Sequence, residues 1–478
     1  MTIVQKIAKN TGIFFAGNIA FKLISTIVII YLARYLGTAG FGKYSFVFAY
    51  IAFFNIVTDL GLQQILVREL SRNPLDAPKI VGNAYLIRIT LTILAFIASI
   101  AVISFLQYPE DTKKYVYIAT FYLIFISFSD FYATIFQANL RMEYNVIPKI
   151  TSRLISAGLI LWVILVLKGS LTQIFLIIVF SESVKTLLSY IFSRKLVHAK
   201  FEIDFGLLKF LIKESLPLAI FSVISVIHFR TDIIMLSLIV GDAPVGIYSA
   251  AYSLSNPLTL IPSAILISLF PIMSESFQTS EERLVKIYKL SFKYILIIML
   301  PIAVGTTIIA DKIIPLVYTA KYISSITPLQ ILIWALLLAS INAIMVNLLV
   351  SSNNQRLSTI SVTLGALINI PLNLVLIPIW SYNGAAIATV ITKVMILGAN
   401  IYFISKYLQF SPPLSISTKP LSCAFLMGLF LCGVKNFNII LVIFSAILVY
   451  FATLLIMRTF SDEDINIFKR ALYFFKRS

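Results

Sequence analysis

Apolar residues run along this chain in blocks of roughly the 20 residues that a helix needs to cross the hydrocarbon core of a bilayer. Short polar or basic connections separate the blocks, which can be marked at 13–36, 44–65, 84–106, 115–138, 150–167, 171–192, 216–240, 247–273, 292–318, 329–350, 357–379, 385–408, 419–433 and 439–457. The pattern predicts an all-α polytopic membrane protein with about 14 transmembrane helices. A last segment, 461–478, spaces Ile465, Phe468, Leu472 and Phe475 as one helical face among basic residues, the pattern of an amphipathic helix lying on the inner leaflet.

Composition agrees with the pattern. Of 478 residues 59% are hydrophobic and only 12% charged, where a soluble domain carries about 25% charge. Most Lys and Arg fall in connections on the side of the N-terminus, and the bias of basic residues toward cytoplasmic loops then predicts both termini inside, in a multi-pass protein of the plasma membrane. The net charge of +18 is explained by this topology and by contact with anionic membrane lipids, not by nucleic acid. The first block is long enough to span and no small-x-small cleavage site follows it, so no cleaved signal is expected. Cys423 and Cys432 lie on one predicted helix, too far apart to form a disulfide with each other, and with two His residues they make no metal-ligand cluster. No metal or cofactor is expected.

An internal echo organises the blocks. Gly37-Thr-Ala39-Gly-Phe-Gly42-Lys-Tyr44-Ser45 follows the first, and Gly241-Asp-Ala243-Pro-Val-Gly246-Ile-Tyr248-Ser249 follows the seventh; five of nine positions agree at an offset of 204. Six helices return the chain to its starting side, so the halves are expected to be parallel repeats, with a substrate site at their interface near mid-membrane. The predicted lobes are two parallel six-helix bundles, 1–200 and 205–410, followed by two extra helices and the tail in 411–478. Proline inside spans is concentrated in the second half, at Pro257, Pro262, Pro301 and Pro371, where bends are expected.

The informative chemistry is the charge inside the spans. A Lys or Arg deep in a membrane helix costs at least ~2.5–3.5 kcal/mol, so it faces a partner, the bundle interior or a watery cavity. Lys22, Arg88, Arg230 and Lys393 have no acid three or four residues away on their own helix. Together with Arg153, for which snorkelling to the interface is an equal reading, they are the candidates for binding an anionic, phosphate-bearing substrate. Arg88 and Arg230 lead, because a guanidinium fork matches phosphate oxygens; pairing between helices is the competing reading. Asp59, Asp130 and Asp232 are candidates for coupling to H+ or Na+, or structural partners of the arginines. Glu182 and Lys185 read as a local ion pair, and His228 shares a helix face with Asp232.

Three runs resemble a known family: Lys9-Asn-Thr-Gly-Ile-Phe-Phe-Ala-Gly-Asn18, Ala33-Arg34-Tyr35-Leu36-Gly37 continuing to Ser45, and Asp59-Leu-Gly61-Leu followed by Arg68-Glu69. They look like the N-terminal pattern of the polysaccharide-biosynthesis flippases of the multidrug/oligosaccharidyl-lipid/polysaccharide exporter superfamily. The resemblance implies a V-shaped pair of six-helix bundles that moves a polyprenyl-(di)phosphate-linked oligosaccharide from the cytoplasmic to the outer leaflet by alternating access, through a cationic lumen. A monomer without enzymatic chemistry is expected. A multidrug efflux antiporter of the same superfamily would favour a carboxylate-rich lumen, whereas basic residues outnumber acids in these spans. A polyprenyl-linked glycan enzyme would need a sizeable external catalytic loop, and no external connection here exceeds about a dozen residues.

Overall fold

The structure, a computed structural model, describes residues 3–460, with the side chains of 3–9, 221, 225, 228 and 414 outside that description. The amphipathic segment read at 461–478 and the side chain of His228 therefore lie outside the described residues. Every regular element among the described residues is a helix. Among the described residues eleven helices are long and apolar enough to cross a membrane, and twelve when the bent helix 205–239 is included. One of the eleven, Asn10–Arg72, has 63 residues, and at 1.5 Å per residue it would be about 95 Å long if straight, three times the hydrocarbon thickness. It is broken at Gly37 (φ 67°), a left-handed position that glycine occupies without penalty. The 53-residue helix Gln355–Tyr407 is broken in the same way at Ser381 (φ 51°).

Close contacts group the chain into two units, 1–253 with 366–385, and 254–365 with 386–478. The first holds α1 (Ile3–Asp59), α2 (Leu62–Arg72), α3 (Ala77–Phe105), α4 (Glu110–Ala138), α5 (Glu143–Trp162), α6 (Leu171–Arg194), α7 (Phe205–Ile239) and α8 (Asp242–Ser255). In this unit α4 packs on α6, α1 on α5, and α7 on α1, α2 and α3. One core gathers Leu32, Phe46, Leu123, Ile160 and Phe175; a second gathers Leu66, Ala84, Phe136 and Leu211. Lipid tails are as apolar as these side chains, so helix pairing in a membrane leans on small residues and hydroxyls. Ser99–Thr120 (3.1 Å) and Thr92–Ser127 (2.7 Å) accordingly join α3 to α4, and Ser152 donates to the Ser181 carbonyl (2.7 Å) between α5 and α6. Pro148 sits inside α5, in its second turn.

The second unit holds α9 (Leu260–Thr279), α10 (Glu281–Tyr318), α11 (Ile326–Ser351), most of α12 (Gln355–Tyr407), α13 (Leu414–Val434) and α14 (Ile439–Ile456). Its core includes Tyr288, Leu296, Met345, Met427 and Tyr450. Asn400 bridges Ser361 (2.6 Å) and Asn342 (2.7 Å), tying α12 to α11. Both cysteines lie here as free thiols.

The sequence echo meets itself in space. A Cβ placed on Gly42 would sit 1.8 Å from the Asp242 carbonyl oxygen, and one on Gly246 would sit 1.9 Å from the Thr38 carbonyl oxygen. Thr38 and Asp242, like Gly42 and Gly246, are equivalents at the repeat offset. The contact is reciprocal, as a two-fold relation between the segments requires, and both glycines are needed for the backbones to approach this closely.

Candidate functional site

The sequence Asp59-Leu60-Gly61 ends α1 and starts α2 in one tight joint. Leu60 (φ 42°) and Gly61 (φ 79°) both take left-handed backbone, and α7 presses on the turn so closely that a Cβ on Gly61 would meet the Ser215 carbonyl at 2.7 Å. The Asp59 carboxylate accepts from the backbone N–H of Gly61 and of Gln63, both at 3.2 Å, so it caps the N-terminus of α2. Arg88, from the middle of α3, reaches the same joint. Its Nη1 donates to the Thr58 carbonyl (2.8 Å) in the last turn of α1 and to Asp59 Oδ1 (2.7 Å). Its Nε (3.0 Å) and Nη2 (2.7 Å) donate to the Ser127 carbonyl on α4. The guanidinium is 2% exposed, and most of its donors are spent on the protein.

Beside this joint opens a cavity of about 410 Å³ within the first unit. Asp59, Arg88, Asp130 and Arg230 all line it, with Gln63 and Tyr252. Four of the eight residues proposed from sequence thus come together. Arg230 stands on α7, lining the cavity with Tyr252 of α8 and close enough for its charge to act on the Tyr252 hydroxyl, and among the described residues it makes no side-chain hydrogen bond or ion pair. The Asp130 carboxylate likewise makes no hydrogen bond among the described residues. Its charged neighbours are Lys185, Arg88, Glu182 and Asp59. Glu182 and Lys185 form the expected local ion pair (2.6 Å), with Ser129 donating to Glu182 (3.1 Å). Phosphate-sized polar groups entering this cavity would meet Arg230, a cation without a hydrogen-bond partner among the described residues, the carboxylates of Asp59 and Asp130, and the amides of Asn55 and Gln63.

The other four do not line the cavity. Asp232 is buried and hydrogen-bonded by the Tyr248 hydroxyl (2.9 Å) and the Asn373 amide (2.7 Å). Arg153 lies 5.5 Å from the Phe21 ring, with Tyr44, Tyr122 and Glu182 close enough to act on it and its Nε buried without an acceptor among the described residues. Lys22 is on α1, part-exposed, and Lys393 is on the part of α12 that belongs to the second unit. Sequence reasoning did not name Gln63, Phe229 or Tyr252. For Gln63 a signal was present, since it follows the Gly61 break by two residues and so must sit in the first turn of a new helix.

The family description "Polysaccharide biosynthesis protein" matches residues 7–277, over half of the chain. The chain belongs to that family. A second description, "MatE", matches 217–375. Among curated proteins, an uncharacterised membrane protein of Methanocaldococcus jannaschii is 29% identical over 208 residues, 42% of this chain and 40% of its own length. The probable low-salt glycan biosynthesis flippase Agl15 of Haloferax volcanii is 21% identical over 179 residues, 37% of this chain and 38% of its own. The chain thus spans about two-fifths of the length of the curated relatives it matches. The structure of the lipid II flippase MurJ in an inward closed conformation has the same fold, with a TM-score of 0.76 at 16% identity over 96% of this chain and 99% of that one. The polysaccharide biosynthesis member described here is therefore a multi-pass all-helical membrane protein, as its apolar blocks predict.

Proposed function

We propose that the protein is a flippase that carries a polyprenyl-(di)phosphate-linked oligosaccharide from the cytoplasmic to the outer leaflet, by alternating access, for cell-surface glycan synthesis. The observation that carries the reading is Arg230, a cation inside a membrane helix that faces a polar cavity with its donors open. Membership in the polysaccharide biosynthesis family and the likeness to two flippases support it. In this proposal Arg230 receives the phosphate, Arg88 holds the joint that forms one wall, and Asn55, Gln63 and Tyr252 contact the sugar. Lys22, Arg153 and Lys393 enter as cations that the substrate meets in another access state. Asp130 is the member of the Asp59, Asp130 and Asp232 set placed to exchange a proton or sodium ion with the cavity.

The reading includes fourteen crossings in two lobes, 1–200 and 205–410, followed by 411–478, as a monomer with both termini cytoplasmic. The starts of α10 and α13 border one cavity, which supports an even number of crossings between them and hence two for α12. Reconstitution in vesicles tests the function: a fluorescent polyprenyl-diphosphate oligosaccharide in the inner leaflet should become accessible to a quencher added outside, and only with protein present. No movement of this substrate, together with proton-driven uptake of a cationic dye, would instead support the second reading, a multidrug antiporter, which the "MatE" match and the cavity carboxylate of Asp130 favour.

A further inference from the structure

Helix α7 touches the helices of the first half at points that follow one another along its length, all within the first unit. Before its start, Asn83 of α3 grips the incoming connection twice: its amide donates to the Glu202 carbonyl (2.8 Å), and its oxygen accepts from the Asp204 backbone N–H (2.9 Å). About 15 Å further on, Glu214 pairs with Arg68 of α2 (2.9 Å). The α1–α2 joint comes next, so close that a Cβ on Gly61 would meet the Ser215 carbonyl and the Ala219 nitrogen. Ser222, Val226, Phe229 and Arg230 then line the cavity. Beyond them the Tyr108 hydroxyl donates to Ser237 (3.1 Å), and the crossing of Gly42 and Gly246 follows. Along α7 the cavity is therefore bounded at both ends.

The two ends are closed by different chemistry. At the Ser237 end the hydroxyl contact ends on a buried serine, and at the crossing backbone lies on backbone. At the Glu214 end the closing bond is an ion pair whose side chains stay 34% and 40% exposed, so water and salt compete for both partners. Arg68 is nonetheless held in place, because buried Glu69 accepts from its Nε (2.8 Å) and also from the Asn73 amide (3.3 Å). Its Nη2 is left to reach α7. No hydrogen bond joins Gly61 to α7 among the described residues, so the close approach there lasts only while something else keeps the helix against the joint. We propose that Arg68 and Glu214 form a latch that shuts the cavity toward the cytoplasm, and that α7 tilts away from Gly61 about its mooring at Asn83 when the pair opens. The cytoplasmic placement rests on the topology of the flippase reading; the latch itself controls access whatever is carried.

Thiol accessibility tests it. In the full chain carrying Cys423→Ala and Cys432→Ala, Ser222→Cys places one reporter on the cavity wall, and a membrane-impermeant maleimide is added to inside-out membrane vesicles. Glu214→Gln should raise the labelling rate about threefold and Glu214→Lys about tenfold, since the first removes an attraction and the second sets two cations against each other. The swapped pair Arg68→Glu with Glu214→Arg should bring the rate back toward that of the parent, which separates loss of the ion pair from loss of fold. Added salt should speed labelling in the parent and not in Glu214→Gln. An unchanged rate in both Glu214 variants would overturn the latch, and faster labelling only from the outer face of right-side-out vesicles would overturn its cytoplasmic placement. Because no substrate is present, failure of the flippase reading is seen separately, as a latch that still opens in a protein that moves no lipid-linked oligosaccharide.

Discussion

Arg88 and Arg230 read alike in sequence, as lone arginines inside apolar blocks, and both line the same cavity. Their surroundings differ in kind. Around Arg88 the chain supplies two backbone carbonyls and a carboxylate, four hydrogen bonds in all, at a place where one helix ends and another begins. Around Arg230 the described residues supply none. Desolvating a guanidinium is tolerable only when its donors are satisfied, so the first arginine is built into the scaffold, and the second is kept by its contact with the cavity. Depth in a membrane helix therefore marks a charge as important without telling structure from function.

The largest expected effect breaks this comparison at Arg88. Arg88→Ala leaves Asp59 half-buried without its cation and strips the last turn of α1 of its cap. A loss of about 3–5 kcal/mol follows for a broken buried pair. Purified Arg88→Ala should melt far below the wild type or fail to accumulate, and Arg88→Lys should rescue it poorly because an ammonium cannot reach Thr58, Asp59 and Ser127 at once. If Arg88→Ala melted normally and lost only transport, the scaffold role would be wrong. Next comes Arg230→Gln, expected to melt like the wild type while transport falls about 10- to 100-fold, the equivalent of one or two charge-assisted hydrogen bonds to phosphate. Wild-type transport by that variant would remove Arg230 from the substrate path.

Much of this was legible in the chain. Apolar length located the helices, i,i+3 spacing gave the Glu182–Lys185 pair, and the nine-residue echo predicted a relation that the reciprocal contact of Gly42 and Gly246 makes physical. The partner of Arg88 was not legible, because two of its three acceptors are backbone carbonyls and carry no sequence signature. Nor could the Asp232 network be read, since Asn373 reaches it from 141 residues away. Lys22, Arg153 and Lys393 show the same limit. Spacing fixes how deep a charge lies, but which way it faces depends on how helices pack. That packing also explains why contacts group α7 and α8 with the helices of the first half, across the boundary of the sequence repeat.

The glycine crossing sharpens the comparison from the other side, because it fixes α8, and with it Tyr252, against α1. Gly42→Ala or Gly246→Ala would drive a methyl group into a carbonyl oxygen of the opposing segment. Each should cost about 1–3 kcal/mol as an overpacked contact, read as a lower melting temperature. Because both substitutions push the same two segments apart, the double variant should lose less than the sum of the singles; strict additivity would mean that the crossing is not one contact. If both connections face outward, as the topology predicts, cysteines at Thr38 and Asp242 should react with an impermeant thiol reagent added outside intact cells, and one at Lys200 should not.

The smallest effect concerns Asp204, where α7, the helix that carries Arg230, begins. Its carboxylate pairs with Lys79 (2.6 Å) and accepts from the backbone N–H of Leu207 (3.0 Å), capping the helix. The Lys79 ammonium, followed by that backbone N–H, holds the Asp204 carboxyl below the usual carboxylate range. A depressed folded-state pKa means that the unfolded chain binds the proton more readily as pH falls. The contribution is therefore fully present above the unfolded value of about 3.9 and disappears as pH drops through the lower folded value. The pair is solvent-exposed, so the effect is small and salt should weaken it further. Melting temperatures of wild type and Asp204→Asn should differ modestly at neutral pH and converge on acidification below pH about 4. A difference that persisted undiminished into that acid range would assign the role of Asp204 to side-chain geometry and not to its charge. Arg230 would then be positioned by a helix whose start is insensitive to protons.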